Sequence, residues 1–109
     1  MGHWIKGTVL LIPIFLIAAE ADADVRDEIK AHCAAEWPGD YAMQKYCLDR
    51  QRGAIREVLE FERQNPEGSE ERNIMQRCIG EWPAETGGHD WPMVAYCIDR
   101  QVKAYQALQ

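Results

Sequence analysis

The chain repeats itself around its cysteines, and this duplication limits what it can fold into. Cys33-Ala-Ala-Glu-Trp-Pro38 returns as Cys78-Ile-Gly-Glu-Trp-Pro83 at an offset of 45. Asp40-Tyr-Ala-Met-Gln-Lys-Tyr-Cys-Leu-Asp-Arg-Gln51 returns as Asp90-Trp-Pro-Met-Val-Ala-Tyr-Cys-Ile-Asp-Arg-Gln101 at an offset of 50. The second copy therefore holds five extra residues in the connection between Pro83 and Asp90. Identities in one fixed order mark the duplication of a single unit, and stacked repeats bury the apolar face that one unit cannot bury alone.

Each unit reads as helix, tight connection, helix. Val25, Ile29, Cys33 and Trp37 recur at i, i+4 on one face, with Asp22 or Asp24 available as N-cap. Trp37-Pro38-Gly39 ends that helix, because proline disfavours helical geometry in the residue before it and glycine tolerates the turn. Asp40 is the next N-cap, and an apolar stripe of Met43, Tyr46, Cys47, Leu48, Ala54, Ile55, Val58, Leu59 and Phe61 carries the second helix to about Gln64. Asn65-Pro-Glu-Gly-Ser69 supplies the linker, and Glu70 and Glu71 suit the first turn of a third helix. Ile74, Met75, Cys78, Ile79 and Trp82 line the third helix. Asp90 opens the fourth, with Pro92 in its first turn and Met93, Tyr96, Cys97, Ile98, Ala104, Tyr105 and Leu108 on its apolar face. No stretch alternates apolar with polar residues over a strand length. The expected fold is all-α: two tandem antiparallel helical hairpins, spanning about residues 24–64 and 70–109, which either pack face to face as one small four-helix domain or lie side by side in tandem.

Four cysteines allow three pairings. Cys33 precedes the first connection and Cys47 follows it, so an antiparallel hairpin brings them together across its seam. Cys78 and Cys97 hold the same places in the second unit, so the expected bridges are Cys33 to Cys47 and Cys78 to Cys97. A loop of the first size closed by a disulfide contributes about 3 kcal/mol, much of what so short a chain has. Such a hairpin resembles the twin Cys-x9-Cys modules of the mitochondrial intermembrane space in architecture alone, since each helix here carries one cysteine instead of two and the spacings differ.

The N-terminal residues point to export. Met1 to Lys6 carry one lysine and no acid, and Thr8 to Ile17 has the length and apolarity of a signal-peptide core. Ala19-Glu-Ala21 and Ala21-Asp-Ala23 both fit the small-residue cleavage pattern, so residues 1–21 are expected to be removed by cleavage after Ala21, with Ala23 the second choice. Residues 22–109 then form a single domain, secreted or periplasmic, with no stable membrane span. An even number of cysteines in a short exported chain reads as a disulfide framework. The cut takes one base, Lys6, and one acid, Glu20, so the net charge of −6 is unchanged, and nucleic acid is disfavoured as a partner.

No Ser-His-Asp arrangement, phosphate loop or nucleophile elbow is present, so the chain is read as non-enzymatic, without cofactor or metal. Glu36 and Glu81 precede the Trp-Pro turn in both units, where they suit the opening N–H groups of the next helix or an arginine. The repeated Asp49-Arg50-Gln51 and Asp99-Arg100-Gln101 suggest an arginine-to-carboxylate bridge between helices, or a contact with a partner. His32 and His89 stand in different units, which gives no metal-ligand spacing. Trp37, Tyr41, Trp82, His89 and Trp91 cluster at the turns, and with Arg50 and Arg100 they are the candidate contacts for an unknown protein or small ligand. A binding module is thus the expected function, with a small periplasmic metal- or redox-handling protein as the alternative. The segment from Ala84 to His89 has no counterpart in the first unit, and irregular loops on rigid scaffolds often carry contacts.

Overall fold

In the computed structural model the chain is described from Pro13 to Gln109 apart from Thr86, with side chains described from Val25 onward. Four helices follow in order: α1 (Pro13–Glu36), α2 (Tyr41–Gln64), α3 (Glu70–Glu81) and α4 (Trp91–Ala107). The described residues contain no strand, only one isolated bridge between Pro83 and His89.

The helix boundaries follow from capping chemistry. The Asp40 carboxylate accepts from the Met43 N–H at 3.1 Å, and the Asp90 carboxylate accepts from the Met93 N–H at 3.4 Å. Ser69, expected only as part of the linker, caps α3 by accepting from the Arg72 N–H at 3.2 Å. Each side chain occupies one of the N–H groups that a helix start leaves unpaired. After Glu36 the chain turns through Gly39, whose φ of 77° lies where a side chain would be strained.

One expected boundary is not met. Neither Asp22 nor Asp24 starts a helix, because α1 runs unbroken from Pro13 past Ala21 and Ala23. The alanine-rich stretch is a strong helix former, and no glycine or proline interrupts it before Pro38. Met1 to Lys6 and the start of the apolar run lie outside the described residues. No helix among those described is long and apolar enough to cross a membrane.

Both expected disulfides are present, Cys33–Cys47 and Cys78–Cys97, each with Cα atoms 5.7 Å apart. Equal spans across unequal loops show that the five extra residues are absorbed in the second connection. α1 packs on α2 and α3 on α4, and the hairpins join because α2 lies in the groove between α3 and α4. The larger core there comprises Val58 from α2, Ile74, Met75 and Cys78 from α3, and Val94, Cys97 and Ile98 from α4. A smaller core holds Ile29, Cys33 and Cys47, and the Trp91 ring packs against both. Burying an aliphatic side chain of this size contributes about 1.5 to 3 kcal/mol, so the α2 seam supplies much of what holds the hairpins together.

Several stripe residues fall outside the core. Tyr46, Leu59, Tyr96, Leu108 and Ala104 are exposed, because the apolar stripes on α2 and α4 are wider than the arcs their neighbours cover. The core also takes a residue whose polarity argued against it, Gln51, which is 5% exposed. Its Oε1 accepts from the Trp91 N–H at 3.3 Å, across the seam between hairpins.

Candidate binding cleft

The second turn is a folded tongue, not a slack loop. The Asp90 N–H donates to the Trp82 carbonyl at 3.0 Å, and the Ala84 N–H to the Gly88 carbonyl at 3.1 Å. Gly88, at φ 74°, brings its backbone against α1: a Cβ there would meet the Glu28 Oε2 at 2.6 Å. The His89 ring rests on the Trp91 ring with centroids 5.2 Å apart. The extra residues of the second unit thus reach back to the first.

Between this tongue and the end of α1 lies an open cleft of about 420 Å³, lined by His32, Glu36, Trp82, Pro83, Glu85 and Asp90 among others. A narrower groove of about 180 Å³ shares His32, Glu36 and Asp90 and runs on toward Tyr46, Arg50 and Met93. The wider cleft is acidic at its rim. The Glu36 Oε2 lies 3.1 Å from the His32 Nε2, and its Oε1 accepts from the Trp37 indole N–H at 3.1 Å. Glu85 is exposed and makes no hydrogen bond or ion pair among the described residues. Trp82 is 37% exposed, so part of its indole faces solvent at the cleft wall.

The expected partner residues divide by environment. Tyr41 is the most exposed of the turn aromatics at 79%, Trp82 stands at the cleft, and Trp37, His89 and Trp91 are half-buried. Among the described residues, Arg50 and Arg100 form no interhelical carboxylate bridge. Each lies over the tyrosine one turn earlier, Arg50 at 5.9 Å from the Tyr46 ring and Arg100 at 5.8 Å from the Tyr96 ring. The aspartates of the triplets pair within their own helices, Asp49 with Lys45 at 2.8 Å and Asp99 with Lys103 at 2.9 Å. The hydrogen bond from Lys45 holds the Asp49 carboxyl below its ordinary value, and the guanidinium of Arg63 does the same to Glu60.

Neither Glu36 nor Glu81 caps the following helix, since Asp40 and Asp90 occupy those places. Glu81 instead sets its Oε2 3.8 Å from the bridged sulfur of Cys97. Ligand atoms of His32, Glu36 and Cys47 lie within 4.8 Å of one another. The Cys47 sulfur is spent in its bridge to Cys33, and a disulfide sulfur lacks the thiolate charge that makes cysteine a metal ligand. Comparison of the chain with models of known protein families, with curated proteins and with solved structures finds no match.

The roles of two residues of this region are not legible in the sequence. Glu28 meets the tongue, and nothing in the periodicity of α1 distinguishes it from other exposed acids. Gln51 belongs to the repeated triplet, and because its copy Gln101 is identical, the sequence does not distinguish the one that enters the seam.

Proposed function

We propose that the chain is a non-enzymatic, exported binding module that takes a cationic group, such as a lysine or arginine side chain of a partner, in the cleft between the tongue and α1. The observation that carries this reading is the meeting of exposed Trp82 with the carboxylates of Glu36 and Glu85 around one open cleft. An indole face and nearby carboxylates together attract a cation more strongly than either alone. Two disulfides and the leading apolar segment support export, since structural bridges persist in oxidising compartments.

The test is a titration of the oxidised protein with a short lysine- and arginine-rich peptide, followed by tryptophan fluorescence at low and moderate salt. Saturable binding that weakens with salt and is lost in Trp82→Ala and Glu85→Lys is expected. Absence of saturation, or binding indifferent to both substitutions, would reject the cleft. N-terminal sequencing of the protein recovered after expression checks export separately, with Asp22 or Asp24 as the expected first residue.

Metal or redox handling is the competing reading, and the approach of the His32 Nε2 to the Glu36 Oε2 at 3.1 Å is the observation on its side. It requires stoichiometric zinc or copper uptake by the protein, lost in His32→Ala.

A further inference from the structure

The two hairpins are repeats of one unit, yet they do not meet through equivalent surfaces. α2 presents Gln51, Ala54 and Val58 to the second hairpin, and all three are buried. At the offset of 50 their counterparts on α4 are Gln101, Ala104 and Leu108, and all three are exposed, Leu108 at 84%. The second hairpin receives α2 with Trp91, Val94 and Ile98, of which Val94 and Ile98 are buried. Their counterparts on α2 are Tyr41, Gln44 and Leu48, which stand exposed or half-buried. The contact is therefore head-to-tail, not two-fold. A head-to-tail contact between repeats uses one face of each and leaves the complementary pair free.

The free pair is present on this chain. The groove between α3 and α4 holds α2, and its counterpart between α1 and α2 is an open groove of about 480 Å³ lined by Lys30, Cys33, Ala34, Tyr41, Lys45 and Leu48 among others. The surface that fits such a groove, the Gln101, Ala104 and Leu108 face of α4, is equally uncovered. Two differences set the character of the fit. Lys30 and Lys45 stand where the occupied groove has Met75 and Ala95. In the matching register the lysines come to the last turn of α4, which carries no basic residue and whose free carbonyls form the negative end of the helix dipole. Gln44 in place of Val94 makes the groove less apolar than the internal one, so the contact is weaker and depends on concentration.

We propose that this groove is a docking site for α4 of a second copy of the same chain, so that molecules associate head-to-tail and repeat between chains the contact that joins the hairpins within one. The site lies apart from the acidic cleft, and neither proposal needs the other.

Sedimentation of the purified, oxidised chain over a range of concentrations tests this with two variants. Tyr41→Glu with Lys45→Glu blocks the groove, and Ala104→Glu with Leu108→Glu blocks the α4 face. All four positions are exposed, and far-UV circular dichroism with a thermal melt confirms that each variant is folded. The weight-average mass of the parent chain is expected to rise with concentration, and each variant alone to remain at the monomer mass. A mixture of the two variants retains one intact groove and one intact face. It should therefore form a pair of about twice the monomer mass that grows no further. The proposal is overturned if the parent chain is monomeric throughout, if association is indifferent to the substitutions, as expected for adhesion through the leading apolar run, or if the mixture stays monomeric, as expected for a two-fold contact.

Discussion

Gln51 and Gln101 are the same residue in two copies of one unit, and the fold gives them different work. The Gln51 amide sits in the seam and holds the Trp91 N–H, one of the first donors of α4 and without an intrahelical partner. Truncating it leaves that donor unpaired at a part-buried site, so Gln51→Ala is expected to lower the unfolding free energy by about 1 to 2 kcal/mol. Gln101→Ala, on an exposed face, should stay within about 0.5 kcal/mol of the parent, and urea unfolding of the two variants measures the difference. Asp49 gives a second test at this scale. Its folded-state pKa lies below the ordinary value of 3.8, so the Lys45 pair adds stability above that value and loses it as pH falls through the folded-state pKa. The pair is exposed, and its effect on stability is correspondingly small. Lys45→Met should return the Asp49 carboxyl to its ordinary range, which an NMR titration of the side-chain carboxyl carbon reads directly.

At the scale of elements, the helices and staples were legible because their signals are local. Asp40 and Asp90 precede helices, Pro38 and Gly39 end one, and the repeat aligns Cys33 with Cys78 and Cys47 with Cys97. The start of α1 is not legible, because an acid before an apolar face resembles a cap even inside an alanine-rich helix that passes through it. The tongue was visible as an insertion, but its lean against Glu28 depends on how the hairpins pack, which periodicity does not encode. Gly88 concentrates that dependence, since it combines a positive φ with close approach to the Glu28 side chain. Gly88→Ala is expected to destabilise the tongue by about 1 kcal/mol, mostly through backbone strain, because the glutamate can swing aside. Faster amide exchange at Ala84, whose N–H donates to the Gly88 carbonyl, would report it. Replacing Cys78 and Cys97 together by alanine should cost about 2 to 5 kcal/mol, seen as an earlier thermal midpoint.

At the scale of the molecule, Trp91 joins two cores that are otherwise separate. Each hairpin is too short to bury enough apolar surface alone, so the stability of one depends on its seam with the other. Trp91 packs against the Ile29, Cys33 and Cys47 cluster and against the cluster around Val94, while its backbone N–H binds Gln51. Its counterpart, Tyr41, is exposed, so the exchange of a ring between the copies follows the asymmetry of the assembly. Trp91→Ala should therefore do more than remove buried area. A loss of about 3 kcal/mol is expected from the cavity, together with early loss of protection in α1, whose described residues meet the second hairpin at the tongue and at this ring. Trp82→Ala, at the cleft wall, should leave stability within about 0.5 kcal/mol while abolishing cation binding. Hydrogen exchange on both variants separates the roles: protection lost in α1 for Trp91→Ala alone marks that ring as the joint between hairpins. Equal loss in both would mean that the cleft wall itself holds the hairpins together, and Trp82 would then be a structural residue instead of a contact.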